Sequence, residues 1–182
     1  MSNGSKIEHE VKILEIDRDK IIERLEEIGA ERIFEGLVVD EYFDYPDRRL
    51  RKGGHLLRIR EKGDDIIVTI KGPSLGGAVK SREEREFSLS SAGGMKELLH
   101  LLDLECWLKL TKKRTVYKKG DVRFAIDAYL NEFGFIPEFL EIEAVEVEDI
   151  YRYASLLGYE KHSCLPWSFE ELRRFYEGRG AE

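Results

Sequence analysis

The sequence has few of the features that mark exported, membrane-spanning or disulfide-rich proteins. Its two cysteines, Cys106 and Cys164, are too few for a disulfide framework and do not form a CxxC motif. No segment approaches the run of about eighteen apolar residues that a membrane-spanning helix needs. Residues 1–6 lack the apolar core of a signal peptide. These absences predict a cytoplasmic protein with reduced thiols and no membrane association.

The sequence also lacks an excess of positive charge. Its 30 lysines and arginines are outnumbered by 37 aspartates and glutamates, which gives a formal net charge of -7. Non-specific nucleic-acid binders are normally basic, so this balance argues against that class. A barrel that binds single-stranded nucleic acid would need exposed aromatic residues among basic ones. The aromatic group at Tyr42, Phe43 and Tyr45 is explained more simply by packing.

Two familiar site motifs are missing as well. The glycine-rich segment 72–81 ends in Lys80-Ser81 but does not have the P-loop spacing GxxxxGK[ST]. The four histidines show no zinc-site spacing; they are His9, His55, His100 and His162. Neither a P-loop nor a zinc centre is predicted.

Charged residues, by contrast, are abundant, at 37% of the chain against roughly 25% in an average globular protein. Alternation of apolar and polar residues predicts strands at 7–13, 38–45, 56–62, 66–71, 82–89, 108–118, 122–129 and 139–147. Amphipathic segments predict helices at 17–28, 91–104 and 148–157, and a last helix that begins with a capping box at Ser168 and Glu171. Short strands joined by short turns predict an antiparallel barrel or sandwich, in a single domain spanning residues 1–182.

The charges lie on one face of most predicted strands, because alternate residues of a strand share a face. The cations on these faces are Lys12, Arg58, Arg60, Lys71, Arg82, Lys112, Arg114 and Arg123, and the anions are Glu8, Glu10, Glu84, Glu86, Asp127, Glu141 and Glu143. A solvated outer face is the ordinary explanation for one such strand. Repetition over seven strands favours a barrel with a charged interior and helices over its apolar exterior. Guanidinium groups suit phosphate oxygens and carboxylates suit hard divalent cations, so this interior predicts binding of a polyphosphate with Mg²⁺ or Mn²⁺.

Short charged motifs follow one another in a fixed order along these strands. An ExExK motif at Glu8–Lys12 is followed by Leu57-Arg58-Ile59-Arg60, by Thr69-Ile70-Lys71-Gly72-Pro73, by the RxExE run at Arg82–Glu86, by the KxR run at Lys112–Arg114, by Asp127 and by Glu141-Ile142-Glu143. This ordered set resembles the CYTH family, the triphosphate tunnel metalloenzymes, which includes class IV (CyaB-type) adenylate cyclases and thiamine triphosphatases.

The resemblance implies a fold and a set of site residues. The implied fold is α+β, an eight-stranded antiparallel β-barrel (the triphosphate tunnel) with flanking helices. The implied metal ligands are Glu8, Glu10, Glu141 and Glu143, with Glu84, Glu86 and Asp127 as further metal or water-positioning groups. The implied phosphate-binding residues are Lys12, Arg58, Arg60, Lys71, Arg82, Lys112 and Arg114. The implied catalytic residues are Glu8, Glu10, Lys12 and Asp127. The family further implies Mg²⁺ or Mn²⁺ as cofactor, a triphosphate-containing small molecule as substrate, and a homodimer as a common assembly.

The sequence departs from the family pattern between Asp127 and Glu141. This stretch is longer than usual and carries Phe133 before the glycine, which predicts a different local loop.

Three functions are compatible with these motifs. Attack of water on the terminal phosphorus would make the protein a triphosphatase for inorganic, nucleoside or thiamine triphosphate. This is the preferred prediction, because cyclisation needs a positioned nucleoside and hydrolysis needs only water. The alternative is a class IV adenylate cyclase, in which the ribose 3′-hydroxyl of ATP attacks the α-phosphorus and pyrophosphate leaves. A non-catalytic nucleotide- or polyphosphate-binding module is the third, although the implied metal carboxylates are all present.

Overall fold

The computed structural model describes residues 6–179, and the strands in this range form a closed antiparallel barrel. The eight strands are β1 (Lys6–Ile13), β2 (Glu31–Asp44), β3 (Leu56–Lys62), β4 (Asp65–Ser74), β5 (Lys80–Leu89), β6 (Glu105–Lys119), β7 (Val122–Tyr129) and β8 (Phe139–Ala144). Their order around the barrel is β1-β5-β4-β3-β2-β6-β7-β8. The predicted α+β barrel is therefore confirmed.

Helices lie between these strands or follow them along the chain. They are α1 (Arg18–Glu27), α2 (Arg49–Lys52), α3 (Ala92–Leu101), α4 (Val147–Leu156) and α5 (Phe169–Arg179), with 3₁₀ turns at Asn131–Phe133 and Lys161–Ser163. Within residues 6–179, none of them combines the length and the apolar character that crossing a membrane requires.

The chain folds as two compact units. The first contains Leu37–Leu75 and Arg82–Thr111 together with residues 6–7, and the second contains Glu8–Gly36, Gly76–Ser81 and the chain from Lys112 onward. The single domain expected over the whole chain stays a prediction.

The first unit is built on the β3–β4 hairpin, whose register runs from Leu56 opposite Lys71 to Lys62 opposite Asp65. Gly63 in the turn has φ 58°, a conformation that glycine adopts without steric cost. β2 pairs with β3, and β5 pairs with β4. Helix α3 packs on the apolar face of these strands, where Leu99 joins a buried cluster with Ile59 and Val68. One face of this sheet is thereby covered by a helix.

The second unit is built on β1, β6, β7 and β8. β6 and β7 form a hairpin, β8 pairs with β7, and β1 pairs with β8. Phe124 and Ile142, both fully buried, lie in one core with Leu25 of α1 and Ile150 of α4. Burying one Leu, Ile or Phe side chain contributes about 1.5–3 kcal/mol. This core therefore fixes which face of each strand meets the helices.

Helix ends agree with the sequence signals. The Asp17 side chain accepts a hydrogen bond from the Lys20 amide at 3.2 Å, which caps α1. At α5 the capping box is present: the Ser168 amide donates to Glu171 Oε2 at 2.7 Å, and the Glu171 amide donates to Ser168 Oγ at 3.3 Å. Both caps satisfy amides that the first helical turn leaves without partners.

Three features differ from the predictions or add to them. β2 begins at Glu31 rather than at residue 38, because residues 31–37 are mostly exposed and carry no buried alternation for the sequence to show. The four-residue helix α2 was not predicted, since it is too short for a helical period. In the loop predicted to differ after Asp127, a 3₁₀ turn buries Phe133, whose ring lies edge-on to Phe169 at 4.9 Å.

Candidate functional site

The charged face of the second unit is the face turned away from the helices. Val11 and Ile13 of β1 are buried in the core that α1 and α4 cover. Glu10 and Lys12 alternate with them and therefore lie on the opposite face, which is the interior face in a closed barrel. The interior position predicted for these side chains follows from the same alternation.

At the centre of this face is a buried aspartate held by two cations. Arg114 and Asp127 are paired residues across β6 and β7. Arg114 Nε donates to Asp127 Oδ1 at 2.6 Å, and its Nη2 donates to Oδ2 at 2.6 Å. Lys112 Nζ donates to Oδ2 at 2.8 Å. Asp127 is 0% exposed, so this two-pronged arrangement is sequestered from water.

The surrounding charges keep this aspartate ionised. Burial alone would raise the pKa of Asp127, but the charges of Arg114 and Lys112 outweigh it and hold the pKa below its ordinary value. The cations in turn are held in place by a carboxylate that water cannot reach.

A second group of charges joins β1 to β8. The register sets Lys12 opposite Glu141 and Glu10 opposite Glu143. Lys12 Nζ lies 3.0 Å from Glu141 Oε2 and 3.2 Å from Glu10 Oε1. Arg114 Nη2 reaches Glu141 Oε1 at 3.1 Å and so connects this group to the buried aspartate.

Pairing also decides the ionisation of this group. Burial acts to lower the pKa of Lys12, but the charges of Glu10 and Glu141 outweigh it and raise the pKa above its ordinary value. Burial acts to raise the pKa of Glu141, and Lys12 and Arg114 hold it well below its ordinary value instead. Lys12 is thus a permanent cation and Glu141 a permanent anion at neutral pH.

Lys80 adds a cation that the sequence did not single out. Its Nζ contacts Glu10 Oε1. We call the connected set the Asp127 cluster; it consists of Glu10, Lys12, Lys80, Lys112, Arg114, Asp127 and Glu141. Three further predicted residues lie on the same two strands or beside them. Glu8 shares the β1 face and is partly exposed, Glu143 is 3.9 Å from Arg123, and the Arg123 side chain is 52% exposed.

The first unit carries its own buried charges. Arg58 and Arg60 alternate with the core residue Ile59 and lie on the face away from α3. Arg60 Nε donates to Asp40 Oδ1 at 2.6 Å, and its Nη2 donates to Oδ2 at 2.8 Å. Arg58 Nη2 donates to Thr69 Oγ1 at 2.9 Å. Its buried Nε has no hydrogen-bond partner among residues 6–179, although Asp40 is 3.8 Å away.

The remaining predicted residues of this unit lie on the neighbouring strands. Lys71 Nζ contacts Glu84 Oε1, and both side chains are largely buried. Thr69 Oγ1 donates to Glu86 Oε1 at 3.1 Å, but the Glu86 side chain is 45% exposed. In the described part of the chain, Arg82 Nε is buried without a hydrogen-bond partner. We call the set joined by the Arg58, Arg60 and Thr69 contacts the Asp40 cluster; it consists of Asp40, Arg58, Arg60, Thr69 and Glu86.

Two residues of these clusters were missed from the sequence. Asp40 is 1% exposed and neutralises Arg60, yet its neighbour in sequence is another acid, Glu41, so alternation along the strand does not mark it. Its position opposite Arg60 in the β2–β3 register could have revealed it. Lys80 lies in the glycine-rich segment 72–81, where no strand period assigned it a face. His9 lies on the other side of β1, and its Nδ1 is 2.6 Å from Ser81 Oγ.

The carboxylates of β1 and β8 suit a hard divalent cation, both because of their oxygen atoms and because the two strands are paired. Carboxylate oxygens are the preferred ligands of Mg²⁺ and Mn²⁺, and the register brings Glu10 beside Glu143, with Glu141 two residues along. No three His, Cys, Asp or Glu side chains within residues 6–179 are gathered closely enough to hold a metal. Glu10 and Glu141 contact Lys12, Lys80 and Arg114 instead. Metal binding would therefore require these carboxylates to turn from their basic partners.

These observations define the class of the protein: an α+β closed barrel of the triphosphate tunnel type, with paired charges on the face away from its helices. Comparison with known families then specifies the family. The CYTH domain matches residues 6–178, and the chain belongs to the CYTH family, a family of metal-dependent tunnel enzymes.

Individual relatives agree with this assignment. The protein named "Putative adenylate cyclase MJ0240" of Methanocaldococcus jannaschii is 30% identical over 173 residues, which cover 92% of this chain and 98% of the relative. The structure of the PH1819 protein of Pyrococcus horikoshii is 27% identical with a TM-score of 0.74, covering 91% of this chain and 97% of that one. A structure described as a putative adenylate cyclase from Vibrio parahaemolyticus shares the fold with a TM-score of 0.79 at 19% identity, covering 92% and 97% of the two chains.

Proposed function

We propose that the protein is a divalent-metal-dependent enzyme that hydrolyses a triphosphate. The observation that carries this proposal is the Asp127 cluster, in which Lys12, Lys112 and Arg114 are each less than a tenth exposed. Burying so many charges is costly unless they are paired or hold a ligand of complementary charge. A triphosphate with a divalent ion supplies anionic oxygens for the cations and a cation for the carboxylates.

Each cluster has a phosphate-binding role in this proposal. In the Asp127 cluster, the assigned phosphate-binding residues are Lys12, Lys112 and Arg114. In the first unit they are Arg58, Arg60, Lys71 and Arg82. The guanidinium forks of the arginines match the geometry of phosphate oxygens, and the lysines act as point charges.

The carboxylates are assigned to the metal. Glu8, Glu10, Glu141 and Glu143 would hold it, with Glu84, Glu86 and Asp127 as additional metal or water-positioning groups. A bound Mg²⁺ or Mn²⁺ would neutralise negative charge on the phosphate oxygens.

Catalysis by this chain would be electrostatic. Lys12 and Arg114, whose charges are fixed by burial and pairing, would stabilise the negative charge that develops as the terminal phosphoryl group is transferred. Asp127 would act as a positioning residue, because it holds the Arg114 guanidinium and the Lys112 ammonium in place. A fixed array of charges pays no reorganisation cost at the moment of reaction.

A second candidate, a class IV adenylate cyclase, is favoured by the name of one relative. That relative, at 30% identity, is named "Putative adenylate cyclase MJ0240". In this reaction the ribose 3′-hydroxyl of ATP would attack the α-phosphorus, and the same cations would stabilise the departing pyrophosphate.

Product analysis separates the two reactions. The purified protein is incubated with ATP or with tripolyphosphate, in the presence of Mg²⁺ or Mn²⁺, and the products are resolved by chromatography. Orthophosphate without cyclic AMP supports the triphosphatase. Cyclic AMP with pyrophosphate supports the cyclase and excludes the hydrolase. No turnover of either compound would overturn both.

Two variants test the site assignment. Glu10→Gln and Glu143→Gln should abolish metal-dependent turnover, since each removes a charged oxygen ligand while keeping the side-chain shape. Circular dichroism should show an unchanged fold. Full activity in both variants would contradict the metal assignment.

A further inference from the structure

An aromatic and cationic group in the first unit lies outside the phosphate-binding assignments. The Trp107 and Tyr42 rings are 6.2 Å apart between centroids. The Arg51 guanidinium carbon lies 4.7 Å from the indole centroid, and that of Arg48 lies 5.7 Å from it. We call these four residues the Trp107 platform. The indole is partly exposed, so part of its surface is open to a ligand.

The platform is held by a buried carboxylate rather than by loose side-chain contact. Asp44 is 1% exposed. Its Oδ1 accepts a hydrogen bond from the Leu50 amide at 3.0 Å, and its Oδ2 accepts one from the Arg51 amide at 3.1 Å. Arg48 has φ 60°, a left-handed conformation that is strained for a non-glycine residue. The chain thus accepts backbone strain in the turn that brings Arg48 and Arg51 to the indole.

The platform adjoins a residue already assigned to phosphate. Tyr42 is directly opposite Arg58 in the β2–β3 register. Paired residues of antiparallel strands have Cα atoms about 4.5–5.5 Å apart, so the phenol ring and the guanidinium are neighbours. Arg58 is 7% exposed, and its Nε has no hydrogen-bond partner in the described part of the chain. A ligand that engages Arg58 therefore has Tyr42 beside it and Trp107 next to Tyr42.

We propose that the Trp107 platform binds the neutral base of a nucleoside triphosphate whose phosphates engage Arg58. The proposal rests on the proposed function and specifies its substrate class. Aromatic rings and guanidinium planes both stack on nucleobases, in a manner that tolerates any base because each has a π-face. The platform combines both kinds of group beside an arginine whose buried Nε has no hydrogen-bond partner within residues 6–179.

The platform disfavours the other two substrates that the motifs allow. Thiamine triphosphate carries a permanent positive charge on its thiazolium ring. That ring would meet Arg48 and Arg51 on the indole, and like charges repel. Tripolyphosphate has no ring and gains nothing from Trp107. The platform therefore selects a neutral aromatic base.

The first test compares substrates in Trp107 variants. With Mg²⁺ present, Trp107→Leu should raise the KM for ATP about tenfold and leave the KM for tripolyphosphate unchanged. Trp107→Phe keeps a ring and should recover most of the ATP affinity. A rise in KM that is equal for ATP and tripolyphosphate, or no rise for either, would overturn the proposal while the triphosphatase assignment stands.

The second test examines the charge at the platform. Arg51→Gln should lower the ratio of kcat/KM for ATP to kcat/KM for thiamine triphosphate severalfold, because one cation that repels the thiazolium ring is removed. Arg49→Gln is the matched control, since Arg49 lies in the same helical turn and its guanidinium carbon lies over Tyr45, 3.3 Å from the ring centroid. An equal change in both variants, or a wild-type protein that prefers thiamine triphosphate, would contradict the inference.

The third test needs no change at the platform. The chain has two tryptophans, Trp107 and Trp167, so Trp167→Phe leaves Trp107 as the only indole reporter. Titration with ATP should quench its fluorescence, and titration with tripolyphosphate should leave it nearly unchanged. Quenching by neither compound, in a variant that still turns over ATP, would show that the base lies elsewhere. A wild-type protein that binds neither compound would overturn this inference and the proposed function together.

Discussion

Asp127 illustrates how single residues of this protein depend on their partners. Its carboxylate is 0% exposed and accepts hydrogen bonds from both Lys112 and Arg114. Removing one member of a buried ion pair is more damaging than replacing the whole pair, because the remaining charge is left buried without compensation. The clusters are consequently sensitive to substitutions that preserve shape but remove charge.

Asp127→Asn should lower the free energy of unfolding by about 3 kcal/mol or more, since Arg114 and Lys112 lose their anion. Urea denaturation at pH 7 measures this change. Asp121→Asn in the exposed β6–β7 turn is the control and should have little effect. If the two substitutions cost the same, the buried charge pair is not an important source of stability.

The pH dependence of stability follows from the directions of these pKa shifts. The pKa of Asp127 is lowered from its ordinary 3.8, so its stabilising contribution is complete above that value and is lost as the pH falls through the lowered pKa. The pKa of Lys12 is raised from its ordinary 10.5, so its contribution is complete below that value and is lost as the pH rises through the raised pKa. When a chelator keeps the protein free of metal, these two groups should cause no change in the free energy of unfolding between about pH 5 and pH 9.

Acid denaturation of wild type and Asp127→Asn tests this argument. Wild type should lose stability more steeply with falling pH, below about pH 4, than the variant does. Parallel curves would show that Asp127 does not carry the lowered pKa.

At the scale of elements, the helix caps and the strand faces were the most predictable parts. Ser168 and Glu171 were identified from sequence because a cap is a local interaction between residues a few positions apart. The charged faces of β1 and β8 were identified because alternation assigns a face without knowledge of the partner strand.

Features that depend on distant partners were not predictable in this way. Asp40 belongs to a cluster only because β2 pairs with β3. Helix α2 is held by hydrogen bonds from its backbone amides to Asp44, and no pattern of side chains in the sequence reveals such bonds. The first half of β2 is exposed, so no buried alternation marks it. The resemblance to known motifs supplied the roles of Glu8, Glu10, Glu141 and Glu143, which their spacing alone would have left open.

Ser168→Ala tests the contribution of the α5 capping box. It removes the hydroxyl that accepts from the Glu171 amide and should lower the free energy of unfolding by about 1 kcal/mol. Thermal denaturation monitored by circular dichroism gives the change. Ser155→Ala, at an exposed position of α4, should change little. An unaltered midpoint in Ser168→Ala would mean that α5 is held by packing alone.

At the scale of the whole molecule, the charged interior should be self-sufficient without metal. Glu10 contacts Lys12 and Lys80, and Glu141 contacts Lys12 and Arg114, so these carboxylates are neutralised within the protein. EDTA should therefore abolish turnover without unfolding the barrel, and added Mg²⁺ should restore activity. Circular dichroism and phosphate release, measured on one sample, follow both properties. Loss of secondary structure in EDTA would show that the metal is structural.

The pairing of β1 with β8 has a consequence for how the protein matures in the cell. Lys12 leaves the ribosome well before its partner Glu141 has been synthesised. Bringing together two strands that are so far apart in sequence costs conformational entropy and makes such folds slow to form. The Lys12–Glu141 contact can therefore form only after β8 has been synthesised, and nascent chains that stop short of β8 should have no competent centre.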